Sequence, residues 1–181
     1  MRPICKKTAI ALGVSLAALM ATTSYVNAQS CFVGASTSAE VGQIKAEGIT
    51  FSQNGLGFGL LGGCAIAVDK FDVGARIAYD WSQNGGNDGV WQAVGTLGYR
   101  LNENVKPYLL AGYGGVKIDY QDYAASHRGL VAGAGLEIAL GKNVALIAEY
   151  NRLWLSAKTF DDIKIDPGAH VVRVGVTYKL F

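Results

Sequence analysis

Histidine, cysteine, proline and long hydrophobic runs are all scarce in this chain of 181 residues. The two histidines, His127 and His170, stand far apart, and the acids Asp161, Asp162 and Asp166 are scattered, so no ligand spacing for a metal centre is present. A nucleophilic triad is equally short of material. Ser126 and His127 are neighbours, and neighbours on a strand point to opposite faces. The glycine-rich stretch Asn84-Gly85-Gly86-Asn87-Asp88-Gly89 lacks the following helix that a phosphate cradle needs and reads as a loop. No catalytic residue, cofactor or metal is therefore expected, and the chain is not expected to be an enzyme. After the first 20 residues no run is long and apolar enough for a membrane-spanning helix, although half of the residues are hydrophobic.

The apolar run that does exist is at the start. Arg2, Lys6 and Lys7 precede an apolar stretch over residues 8–20, and Val26-Asn27-Ala28 puts a small residue at a cleavage point. That is the layout of a secretory signal peptide, here residues 1–28, with cleavage between Ala28 and Gln29. The stretch is too short for a membrane anchor, which needs about 20 apolar residues. Ala28 also stands where a lipid-attachment motif ending at Cys31 would carry Leu. Removing the leader leaves one domain, residues 29–181. Basic residues fall from 16 to 13 against 14 acids, a net charge of −1, which gives no electrostatic case for nucleic acid. Cys31 and Cys64 are then the remaining cysteines.

What the chain has in quantity is alternation. Eight segments show period-two patterning. In one, Val73, Ala75, Ile77, Tyr79 and Trp81 oppose Asp72, Gly74, Arg76, Ala78 and Asp80. In others, Trp91, Ala93, Leu97 and Tyr99 oppose Gln92, Thr96, Gly98 and Arg100, and Leu146, Ala148 and Tyr150 oppose Ile147, Glu149 and Asn151. Strands near 31–41, 57–68 and 106–117 are blurred by small residues on both faces. An apolar outer face on nearly every strand suits lipid outside and a polar lumen inside. Short turns are expected at 69–70, 102–104 and 141–143, and longer polar links at 43–55, 82–89, 119–127 and 156–168. Trp81, Trp91 and Trp154 would form an aromatic girdle at the loop-side rim, with Phe71, Tyr99, Tyr178 and Phe181 at the other.

The final strand is the clearest. Val172, Val174, Val176, Tyr178 and Leu180 share one face, and Arg173, Gly175, Thr177 and Lys179 the other. It resembles the C-terminal insertion signal of Gram-negative outer-membrane barrels, with Arg173, Gly175, Tyr178, Leu180 and Phe181 in its places. Together with Phe32-Val33-Gly34-Ala35, the segment from Lys106 to Gly114 and Ala148-Glu149-Tyr150, it makes the chain similar to the OmpA-type small outer-membrane β-barrels, including the porin-family and surface-antigen barrels. The resemblance implies an all-β, eight-stranded antiparallel up-and-down barrel in the cell outer membrane. It also implies outer-membrane lipid and lipopolysaccharide, periplasmic chaperones and the barrel-assembly machinery as partners. The barrel is expected to be a monomer, with no peptidoglycan-binding domain after Phe181.

Inside so narrow a barrel, Glu40, Asp72, Arg76, Asp80, Arg100, Glu137, Glu149, Arg173 and Lys179 are the lumen candidates. Arg76, Arg100 and Arg173 are expected to pair with Asp80, Glu137 and Glu149, since buried charges need partners. Cys31 and Cys64, both assigned outward, are expected to bridge the first two strands, the periplasmic route being oxidising. Three functions follow: a structural and surface protein, a small-solute channel, or a receptor for a ligand such as haem through Tyr120, Tyr123 and Phe160. The intact mass of protein extracted from membranes is expected to correspond to a chain beginning at Gln29; a mass retaining residues 1–28, or a lipid on Cys31, would contradict the assignment.

Overall fold

The structure, a computed structural model, describes residues 29–46, 49–82, 87–120, 123–156, 158–160 and 163–180. Ala28, the 83–86 part of the glycine-rich stretch, Asp161, Asp162 and Phe181 lie outside them. The strands are β1 (Gln29–Ala46), β2 (Ile49–Val68), β3 (Phe71–Ser82), β4 (Asn87–Tyr99), β5 (Val105–Tyr120), β6 (Tyr123–Ala139), β7 (Val144–Leu155), the short β8 (Lys158–Phe160) and β9 (Ile163–Lys179). β1 to β7 pair antiparallel in chain order, β7 then pairs with β9, β8 folds back on β9, and β1 pairs with β9 from Phe32↔Lys179 to Ala46↔Ile165. Eight long strands thus close into a barrel, which pairs the main-chain groups of the wall around the ring.

The period-two pattern becomes wall geometry. On β7, Leu146, Ala148 and Tyr150 are exposed while Ile147, Glu149 and Asn151 are buried. On β9, Val172, Val174, Val176 and Tyr178 are exposed while Arg173, Gly175 and Thr177 are buried. Apolar residues face out and polar ones in, the reverse of a water-soluble barrel. Aromatic contacts mark both rims: Phe58 stacks on Trp81 at 5.6 Å and Trp91 lies 6.3 Å from Tyr113 on one side, and Phe71 meets Tyr99 at 5.2 Å on the other.

The turns on the side of the chain ends are tight. Asp69 takes the left-handed conformation (φ 54°) between β2 and β3, one that Asp tolerates. Asn102 Oδ1 accepts from the main-chain N–H of Asn104 and Val105, both at 2.9 Å, between β4 and β5.

The loop-side links differ from expectation. Residues 43–55, 119–127 and 156–168 are for the most part paired strand, with Gln43↔Ser52, Asp119↔Ala124 and Phe160↔Ile163 in register. Main-chain pairing continues past the lipid band, where alternation has no reason to persist. Periodicity therefore reported the length of the band, not the length of the strands. A register shift between Asn87 and Gly89 begins β4, and Gly89 (φ 152°) sits where a Cβ would come within 2.6 Å of the Asp80 carbonyl oxygen.

Cys31 and Cys64 are register partners and are joined by a disulfide. The Cys31 carbonyl accepts from the Leu180 N–H at 2.8 Å, so its hydrogen bonds run toward β9 and it faces β2 as a non-hydrogen-bonded position, where side chains approach closest. Peptide mapping without reductant is expected to recover one linked pair. Replacing both cysteines by serine should lower stability by about 2–4 kcal/mol, read as a lower urea midpoint; an unchanged midpoint would show that barrel closure already fixes this hairpin.

Candidate functional site in the barrel lumen

Strand parity sends Arg76 and Asp80 (β3), Glu149 (β7) and Arg173 (β9) into the lumen. Glu149 and Arg173 are direct register partners, so their pairing is built into the β7–β9 ladder. Arg173 reaches Glu149 Oε2 with Nη1 at 2.9 Å and grips Asp80 with its other nitrogens. Arg76 forks onto the same Glu149 carboxylate, Nη1 donating to Oε1 and Nη2 to Oε2 at 3.0 Å. Asn151 Nδ2 adds a donor to Glu149 Oε2 at 3.3 Å. Arg173 and Asp80 are both 0% exposed. Two cations and two anions are thus removed from water together, which is the condition under which buried charge is tolerable.

Tyr108 completes this layer. Tyr108, Gly135 and Glu149 are successive register partners across β5, β6 and β7. The ring lies across Gly135, where a Cβ would come within 2.5 Å of it, and the hydroxyl donates to Glu149 Oε1. Gly135 is needed here for close approach. The Glu149 carboxylate therefore accepts from Arg76, Arg173, Tyr108 and Asn151, which uses its whole lone-pair capacity.

A second ionic layer closes the turn-side mouth. Lys106 Nζ bridges Asp72 at 3.2 Å and Glu137 at 2.9 Å, and Arg100 donates to Asp72 at 2.8 Å. This corrects the expected partners. Arg100 binds Asp72 and not Asp80 or Glu149, and Glu137 binds Lys106, because Arg100 and Glu137 sit at the rim, several residues below the central layer. Lys179 shares the inward parity but is exposed at the same rim. Between the layers lies a cavity of about 40 Å³ lined by Phe32, Arg76, Tyr108 and Ile147 among others.

The loop-side half of the lumen carries a large aliphatic cluster beside a strip of buried polar residues. Val90, Leu110, Val116, Val131, Leu153 and Val171 pack there into one buried cluster, with Leu153 and Val171 at 0% exposure. The expected network of charge pairs therefore does not fill the lumen alone; an aliphatic plug takes part of it. Its members were readable as doublets: Leu109-Leu110, Leu130-Val131 and Val171-Val172 each force one apolar residue inward. On the β1–β4 wall, Ser36, Ser38, Glu40 and Gln92 are buried and keep polar atoms without a protein partner among the described residues, positions suited to ordered water.

The histidines lie on opposite sides of the wall. His127 faces inward, its Nδ1 3.5 Å from the Ser156 carbonyl, and His170 faces out toward Tyr150 and Arg152. The side chains of Tyr120, Tyr123, Ser126 and Phe160 lie outside the described residues, as does that of Asp166. Gly175 and Tyr178 of the terminal pattern occupy turn-side positions of β9 and Leu180 follows its last residue, whereas Arg173 is sequestered in the ionic layer.

A family model described as the outer membrane protein beta-barrel domain matches residues 14–179. No curated protein is matched by sequence. Among solved structures, the chain is similar to the Neisserial surface protein A, at 15% identity and a TM-score of 0.55, with 84% of this chain and 99% of that one covered. It is also similar to the attachment invasion locus protein Ail of Yersinia pestis, at 21% identity and a TM-score of 0.48 over 81% and 98% of the two chains. The N-terminal β-barrel domain of Pseudomonas aeruginosa OprF follows at 14% identity and a TM-score of 0.46, over 80% and 97%.

Glu149→Gln is expected to destabilise the folded barrel by roughly 3–5 kcal/mol, because it leaves Arg76 without a carboxylate partner and Arg173 with Asp80 alone. Denaturant titration, read by loss of the heat-sensitive band on unboiled gels, measures this. Glu103→Gln, in an exposed turn, should leave the midpoint unchanged.

Proposed function

The chain belongs to the outer membrane protein beta-barrel domain family, and from that premise we propose that it acts as a closed, non-conducting barrel with a structural and surface role. It is an outer-membrane protein whose wall is set by lipid. The observation that carries the proposal is the order of layers inside. A permeating ion would have to pass the Lys106 ring, the four-charge layer around Glu149 and then the aliphatic plug. Charged layers bind ions and apolar constrictions exclude water, so the two in series oppose conduction twice. With the lumen closed, contact with other molecules falls to the rims, the outer wall and the loop-side strands. The terminal residues Gly175, Tyr178 and Leu180, at the open end of β9, are suited to being read by the assembly machinery before closure.

The runner-up is a small-solute channel, favoured by the partly unpaired polar strip of Glu40 and Gln92 beside the plug. Among the described residues no group of three His, Cys, Asp or Glu side chains is placed to hold a metal ion. Purified protein in planar bilayers decides between the two. The expected result is conductance that is small and intermittent. Large, steady, ion-selective current in the wild type would overturn the closed-barrel proposal and put the channel first.

A further inference from the structure

Arg152 places a charge on the lipid-facing side of the wall. Arg152 of β7 lies on the outer wall, exposed, between Tyr150 and Trp154 on the same face. Its register partner across β9 is His170, and its Nη1 approaches His170 Nε2 at 2.9 Å. Its guanidinium carbon also sits 5.6 Å from the centre of the Trp154 ring. His170 Nδ1 in turn meets the Tyr150 hydroxyl oxygen at 2.5 Å.

The Arg152 contact selects one tautomer of His170. A guanidinium can only donate, so Nε2 of His170 is an acceptor and the ring proton is on Nδ1. Nδ1–H then donates to the Tyr150 oxygen, which leaves the Tyr150 O–H proton free to donate elsewhere. Arg152 keeps four further N–H groups. The cluster therefore offers one positive charge and several donors. Among the described side chains no carboxylate forms an ion pair with it, since Glu149, Asp80, Glu137 and Glu40 all face the lumen.

Its surroundings define the missing anion. On the β6 side, Ala132 and Ala134 are the register partners of Arg152 and Tyr150, and on the β1 side Val41 is opposite His170. The cluster is a group of donors flanked by small and apolar outward residues, one outward position, about 7 Å along the strand, from the girdle residue Trp154; the exposed Arg128 lies two outward positions beyond Ala132 on β6. That depth is the loop-side interface of the bilayer, where headgroup phosphates lie. A second copy of this barrel is a poor match, because among the described side chains no outward-facing acid lies on the membrane wall.

We propose that Arg152, His170 and Tyr150 form a binding site on the outer wall for the phosphate of a phosphorylated glycolipid of lipid A type. Its acyl chain would lie along the small outward residues Ala132 and Ala134. Arg152 supplies the charge and a fork of donors to two phosphate oxygens, and the Tyr150 hydroxyl supplies a neutral donor. His170 is a positioning residue that holds both. The site depends on the membrane location and not on whether the lumen conducts, so a conducting barrel would leave it standing.

Native mass spectrometry of the folded, full-length barrel in detergent tests the assignment. The probes are bis-phosphorylated lipid A, the same lipid with its phosphates removed, and inorganic phosphate. Wild type is expected to retain the phosphorylated lipid, with retention falling about tenfold for the dephosphorylated lipid and for Arg152→Gln. Arg152→Lys should recover part of the loss, and Lys142→Gln, in a turn at the opposite rim, should behave as wild type. Tyr150→Phe keeps the charge and should lose about threefold, which provides a second reading if Arg152→Gln gives no folded band. Equal retention by folded Arg152→Gln, or by Tyr150→Phe where that is the variant read, would overturn the site. So would equal retention of the dephosphorylated lipid, and capture of inorganic phosphate as strongly as the lipid would overturn its assignment to a membrane molecule.

Discussion

An unpaired sheet edge in hydrocarbon leaves a row of N–H and C=O groups without partners, and no side chain in this chain could compensate for that. Pairing of β1 with β9 removes the edge, and the remaining features follow from the register that closure imposes. It fixes which parity faces lipid and which faces the lumen on each strand. With parity fixed, Arg76, Asp80, Glu149 and Arg173 have no place to go but the interior. The ionic layer is thus a consequence of closure before it is a cause of stability.

Closure also explains why the lumen is filled unevenly. Eight strands leave room for side chains and little else. Where two carboxylates and two guanidinium groups meet at one level, their pairing satisfies that level. Farther toward the loops there are few charges to pair, and the space is taken by Val90, Val131, Leu153 and Val171. An aliphatic cluster there excludes water from one side of the ion pairs, which strengthens their attraction and raises the cost of breaking them singly.

Most of the wall was legible in the sequence because lipid enforces alternation strictly. The outward positions of Ile77, Leu97, Leu146 and Val176 follow from period two alone. Strand ends were not legible, because outside the bilayer a paired strand can carry any residue; hence 43–55 read as a link although Gln43 pairs with Ser52. Inward charges were legible residue by residue, but their partners were not. Arg100 and Glu137 lie at the rim and bind Asp72 and Lys106, which depends on strand stagger that no one-dimensional pattern encodes. Tyr108 escaped notice because a tyrosine facing inward has the same signature as one in a girdle. Its role becomes visible only beside Gly135 and Glu149.

The ionic layer is better understood as a register key than as a source of net stability. Buried ion pairs often return little more than the desolvation they cost, so four charges are weak evidence for a stable barrel. A one-residue slip of β9, however, would exchange its faces. Arg173 would enter lipid, Val172 and Val174 would enter the lumen, and Glu149, Asp80 and Arg76 would be left with an incomplete set of partners. Each of those changes is costly, and they occur together. An apolar lumen would pack acceptably in several registers, whereas this one accepts Arg173 only where Asp80 and Glu149 converge. The aliphatic plug then fits the same register, since Val171 reaches Leu153 and Val131 only with Arg173 in place.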